Sequence, residues 1–179
     1  MLPESLISDQ LTRMAHGRHG PMVYGCNDLF IGRSVDLYGE WAQAELDLLG
    51  VLLKPGDIAI DVGANIGTHT IFFGQRVGPQ GRVFAFEPQG MAFRWLAANV
   101  ALNHLDNVVL FPMAAGRQAG TIAVPAVDYG KAGNFGGLSL PALQAAQPEV
   151  SPSPADAIPM TTLDQLSRDH LAPGGRRCK

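Results

Sequence analysis

Cysteine is scarce: Cys26 and Cys178 are the only two among 179 residues. Their separation supports neither a disulfide framework nor a paired-thiol metal knuckle, so a reducing, cytoplasmic compartment is expected. Charge is scarce too, at 16% with a net of −3. No basic stripe is present to hold a polyanion, and no nucleic-acid partner is expected. No run approaches the roughly 18 uncharged apolar residues that cross a bilayer, so no membrane span is expected. The N-terminal M-L-P-E-S-L-I-S-D-Q lacks the basic and apolar regions of a signal peptide. What the chain has in quantity is apolar side chains, 46%, and glycine, 21 residues, a composition suited to a soluble globular enzyme.

Along the chain, residues 1–37 mix turn residues with short apolar runs and read as an N-terminal appendage or lid, with β-like M-V-Y and L-F-I-G. From Glu40 the pattern turns helical, with Trp41, Ala44, Leu48, Leu49, Leu52 and Leu53 on one stripe and Lys54-Pro55-Gly56 as the stop. Glu45 falls on that stripe and needs a partner, such as Arg33 or Arg94, or a ligand. Ile58 to Val62 is a nearly continuous apolar strand of the kind found in a sheet covered on both faces. A helix from about Ile66 to Val77 follows, with Ile66, Thr70, Phe73 and Val77 facing inward. Then come a second strand, Arg82 to Glu87, a helix presenting Phe93, Leu96, Ala97 and Val100, and a third strand, Asn107 to Ala114. Helices alternating with apolar strands predict βαβ crossovers and a parallel α/β sheet. Farther on, T-I-A-V-P-A-V reads as an edge strand because Pro125 cannot donate to a central ladder. Asn134 to Gly137 reads as a tight loop bordering a site or a plain turn, Gln144 to Pro159 as a surface linker, and Ile158 to Thr162 as one more short strand before a helix at Leu163.

The most informative stretch is D-I-A-I-D-V-G-A-N-I-G-T-H-T followed by G-R-V-F-A-F-E-P. Gly63 and Gly67 bracket a strand-to-helix turn where a ligand approaches main chain closely and a Cβ would intrude. Dinucleotide loops read G-x-G-x-x-G, whereas Asn65 stands here where their second glycine would be, which argues against NAD. Glu87, ending the second strand, is placed to accept both hydroxyls of a ribose. Asp61, at the carboxyl end of the first strand, favours a cationic ligand such as a sulfonium with an ammonium over a pyrophosphate. His69 is open between a surface side chain and a pocket base, and His16 with His19 lacks a third ligand for a metal.

These segments, with N-V-A-L-N and T-T-L-D-Q-L, resemble the FkbM family of S-adenosylmethionine-dependent methyltransferases over about Tyr38 to Leu166. The resemblance implies a class I methyltransferase (Rossmann-like) parallel sheet with flanking helices, and a domain spanning residues 38–166. It implies a donor site of Asp61, Gly63, Asn65, Gly67 and Glu87, with Ala114 and Ala115 beside the adenine, for the cofactor S-adenosyl-L-methionine. The expected reaction is O-methylation of a hydroxyl on a sugar, lipid or secondary metabolite; the residues identify no catalytic base. The family continues after T-L-D-x-L into a strand resembling I-K-I-D-V-E-G, whereas this chain has the atypical tail 167–179. The expectation is therefore a sheet lacking its C-terminal strands, with an exposed edge through which copies could self-associate. A catalytically dead nucleoside-binding or interaction fragment is the alternative in another functional class.

Overall fold

The computed structural model describes residues 11–124, 127–137 and 157–171. Its centre is a three-stranded parallel sheet of β3 (Ile58–Val62), β4 (Arg82–Phe86) and β5 (Val108–Phe111), in that order. The connections are α3 (Thr68–Val77) and α4 (Gly90–Leu102), so the predicted βαβ alternation is realised. In register, Asp61 lies opposite Ala85 and Val62 opposite Phe86. The last residues of β3 and β4 are thus side by side.

The strands are apolar on both faces because both faces are covered. Ala59 and Val83 pack under Leu46 and Leu53, from α2 (Gln43–Leu52) and its C-terminal cap, and under Phe73 and Val77 of α3. Ala85 packs against Leu96 and Val100 of α4. The alternate side chains, Ile58, Phe84 and Phe86, meet Leu166 of α5 (Leu163–His170) on the opposite side. A second small sheet places β6 (Ala114–Ala115) parallel to β8 (Ala157–Thr161), which runs antiparallel to β7 (Gly120–Ala123). The expected third strand therefore divides, with Ala114 and Ala115 passing into a different sheet. Most of the expected linker at 144–159, Pro125 and residues 172–179 lie outside the described residues.

An antiparallel hairpin of β1 (Thr12–Gly17) and β2 (Gly20–Gly25) leads to α1 (Ile31–Tyr38). L-F-I-G is thus the start of a helix and not a strand: Asp28 accepts from the backbone N–H of Phe30 at 3.0 Å and of Gly32 at 3.0 Å, which fixes the helix entry. The hairpin and α1 share a cluster with Ile66, Ile71 and Trp95. Asn99 of α4, fully buried, holds them there: Oδ1 accepts from Val23 N at 2.6 Å, and Nδ2 donates to the carbonyls of Val23 and Ile66, both at 2.8 Å.

The face of α2 differs from the expected leucine stripe. Leu46 and Gly50 are buried, while Leu48 and Leu52 are 66% and 58% exposed. Gly50 decides this. A Cβ there would sit 2.9 Å from Phe72 Cζ, so the helix docks on a ring through its one residue without a side chain.

Candidate functional site

The site is built where β3 and β4 end. Gly63 N and Ala64 N both donate to the Phe86 carbonyl, at 2.9 and 3.0 Å, turning the chain across the neighbouring strand. The turn needs three left-handed residues, Gly63 (φ 82°), Asn65 (φ 50°) and Gly67 (φ 92°). Asparagine is among the few residues with a side chain that adopt this conformation readily, so Asn65 fits. At Gly67 a Cβ would come 2.7 Å from Leu96 Cδ1, whereas at Gly63 the same direction is open space. Gly67 thus lets α3 approach α4, and Gly63 bares main chain to the cleft.

Glu87, buried just past β4, organises this loop. Its Oε2 accepts from Asn65 N at 2.8 Å and its Oε1 from Gln89 N at 2.7 Å, leaving each oxygen a free lone pair. Asp61 accepts a hydrogen bond from Thr70 Oγ1 at 2.5 Å. Burial pushes both carboxyls above their ordinary values. For Asp61 the Thr70 hydrogen bond and the His69 charge oppose the rise; for Glu87 the two amide hydrogen bonds oppose it, and the charge of Asp61 adds to it.

Two cavities meet at this loop. One, of about 240 Å³, is lined by Asp61, Thr68, His69, Phe30, Trp41 and Asn134. The other, of about 190 Å³, is lined by Glu87, Phe86, Gln89, Met113, Ala114 and Ala115. Gly63, Asn65 and Gly136 border both. The seven expected donor residues are thereby divided as follows: Asp61 in the first cavity, Glu87, Ala114 and Ala115 in the second, Gly63 and Asn65 at the junction, and Gly67 behind the loop as a packing residue.

Sequence reasoning reached only the end of the roof, the Asn134 to Gly137 loop that lines the first cavity. Residues 127–137 form a strap tied to the loop after β2: Asn27 Nδ2 donates to the Tyr129 carbonyl at 3.0 Å, and Leu29 N to the Gly133 carbonyl at 2.9 Å. Tyr129 donates to Gln89 Oε1 at 2.9 Å, and its ring contacts both Trp95 and the buried Phe135. Burial and the charge of Glu87 push the Tyr129 hydroxyl up to about 12, so it remains a donor. The only trace in sequence was N-F-G-G. Glu45, expected to need an arginine or a ligand on a buried stripe, is instead 63% exposed, with His69 Nε2 3.7 Å from its Oε2. His19 hydrogen-bonds Gln43 at 2.9 Å, and the described residues hold no group of three or more metal-ligating side chains.

No family model matches the chain. Over 51 residues, 28% of its length, it is 43% identical to the AMB antimetabolite synthetase AmbE of Pseudomonas aeruginosa, covering 2% of that protein. Among solved structures it is similar to TYW2 of P. horikoshii in complex with MeSAdo, with 18% identity and a TM-score of 0.47, covering 61% of this chain and 38% of that one. It is also similar to Trm5b of Pyrococcus abyssi, with 18% identity, a TM-score of 0.45 and coverage of 57% and 28%. A SAM-dependent methyltransferase of Aquifex aeolicus gives 22% identity, a TM-score of 0.34 and coverage of 48% and 52%. The chain thus spans about half or less of each of these proteins.

Proposed function

We propose that this chain is the donor-binding part of an S-adenosyl-L-methionine-dependent methyltransferase of the FkbM kind. The observation that carries the reading is the pairing of Asp61 and Glu87: two carboxylates at the ends of adjacent parallel strands, each in its own cavity, flank one glycine loop that lines both. An α/β sheet binds ligands at that end of its strands. The residues also fit the donor's two halves. Glu87 keeps a free lone pair on each oxygen for ribose hydroxyls, Ala114 and Ala115 offer small apolar surface to an adenine, and Gly63 bares backbone between them. Asp61 makes no ion pair among the described residues, and burial holds its carboxyl up against the Thr70 hydrogen bond and the His69 charge. A sulfonium and ammonium nearby would restore its charge.

S-Adenosyl-L-methionine, when bound, supplies an electrophilic methyl group. The chain's own work is to align and to exclude water. Glu87 fixes the loop through Asn65 and Gln89, and the strap roofs the junction at Gly136. The acceptor in this reading is a hydroxyl on a small molecule, such as a sugar, lipid or secondary metabolite. The net charge of −3 and the 51-residue likeness to an antimetabolite synthetase support it over a nucleic acid.

Isothermal titration tests the donor claim. The folded chain should bind S-adenosyl-L-methionine in preference to NAD, and Glu87→Gln should weaken binding at least tenfold, about 1.4 kcal/mol. Absence of donor binding, or unchanged affinity in that variant, would refute the reading.

A further inference from the structure

α1 carries an apolar face that the fold leaves uncovered beside the site. Leu29 and Phe30, just ahead of the helix, and Leu37 and Tyr38 at its end are between 48% and 73% exposed. Arg33 stands four residues after Leu29 and four before Leu37, a spacing that puts neighbours on one side of a helix. This face borders a cavity of about 290 Å³, lined by Leu29, Leu37, Cys26, Arg33, Asp28 and Asp36. Small-molecule sites begin at about 300 Å³, so the size suits a compact ligand. Consecutive residues line this cavity and the donor site: Leu29 belongs to the one, Phe30 to the cavity of Asp61.

Three charged side chains line the cavity, and two of them are committed. Asp28 is buried and accepts through both oxygens, from Phe30 N and from Gly32 N. Asp36 accepts from the Tyr24 hydroxyl through Oδ1, and its Oδ2 lies 3.7 Å from Arg13 Nη1. Arg33, one of the partners expected for Glu45, makes no ion pair among the described residues. A guanidinium left over between two exposed leucines complements an anion carried on an apolar chain. Two committed carboxylates in the same cavity penalise a second negative charge on the ligand, which favours a carboxylate over a phosphate dianion. We infer that this cavity seats the methyl acceptor, and that the acceptor is a hydroxyl-bearing molecule whose apolar chain ends in a carboxylate read by Arg33. Leu29 and Leu37 hold the chain, and Phe30 leads from it to the donor cavity. Arg33 is then a specificity-determining residue, and it selects amphiphilic acids over uncharged sugars.

This inference rests on the donor reading above, and calorimetry on the full chain separates the two. Octanoate, 1-octanol and octyl phosphate share a chain and differ in the head group. With S-adenosylhomocysteine at saturation, octanoate should bind at least tenfold more tightly than either of the others. Arg33→Gln should bring octanoate down to the level of octanol and leave octanol unchanged. Leu37→Ser should weaken octanoate and octanol alike, several-fold. Both side chains lie on the exposed face, so both variants should keep the fold. Octanoate bound no more tightly than octanol would overturn the inference, because the face would then be a plain apolar one. Octyl phosphate bound as tightly as octanoate, or octanoate affinity unchanged in Arg33→Gln, would overturn it too. So would octanoate that displaces S-adenosylhomocysteine, since the acid would then occupy the donor cavity. In each of these cases bound S-adenosylhomocysteine leaves the donor reading standing. A chain that binds no S-adenosylhomocysteine refutes the donor reading, and the acceptor role falls with it.

Discussion

At the scale of single residues, the site places two carboxylates where the free protein is worse for holding them. Asp61 and Glu87 are both raised above the ordinary carboxylate range by burial. A carboxyl raised on folding binds its proton more tightly in the folded chain. Its stabilising contribution is full below about pH 4 and is lost as pH climbs through the raised value. Ligand binding has the opposite sign, because a cationic ligand needs Asp61 ionised. The expectation for Asp61→Asn is accordingly double. Asparagine can still accept from Thr70, so in urea unfolding the variant should gain stability relative to the unaltered chain between pH 5 and 8. Over the same interval its affinity for S-adenosyl-L-methionine should fall below the unaltered chain's, with the gap widening as pH rises. A variant that loses stability relative to the unaltered chain across that interval would mean that the Asp61 carboxylate supports the fold, not the ligand.

At the scale of elements, the strap over residues 127–137 hangs on few polar bonds. Gln89 supplies two of them, accepting from Tyr129 and donating to the Phe135 carbonyl at 3.4 Å, and it sits two residues from Glu87. Gln89→Leu keeps the volume and removes both, at a cost of about 1–3 kcal/mol. Because the strap is a surface segment whose opening is local, that cost should appear as faster proteolysis within it and a several-fold loss of donor affinity, with little change in the global unfolding transition. A fall in global stability without strap cleavage would place Gln89 in the core instead. Elements of this kind were the least legible from sequence. The β3–loop–α3–β4 unit could be read directly, because glycine spacing, a continuous apolar strand and a terminal glutamate are local signals. The strap could not, since its bonds to Asn27, Leu29 and Gln89 span 40 to 104 residues in the chain. The face of α2 was misread for a related reason: Gly50 looks like a weak helix position until Phe72 of the next helix is seen against it.

At the scale of the whole molecule, the described residues leave apolar surface uncovered on β3 and α2, among other places. β3 is hydrogen-bonded to β4 on one side and ends the sheet on the other, although its side chains are those of a strand buried on both faces. Nothing in I-A-I-D-V blunts that edge: it has no proline and no lysine, and Val62 is 53% exposed. On α2, Leu48, Val51 and Leu52 turn outward at 66%, 76% and 58% exposure, one three-residue and one four-residue step apart along a single stripe. Surfaces of this type recruit a strand or a helix face, and a second copy of the chain is always available in concentrated solution. Sedimentation velocity should therefore show reversible, concentration-dependent association. Val62→Lys places a charge beside the strand edge, and Val51→Lys with Leu52→Lys does so on the helix. Because these side chains are exposed, each change should alter unfolding stability by no more than about 0.5 kcal/mol. If the edge is the contact, Val62→Lys alone abolishes association and the α2 pair merely weakens it; if the helix face is the contact, the order reverses. A chain that sediments as a monomer at every concentration would mean that neither surface recruits a copy of itself.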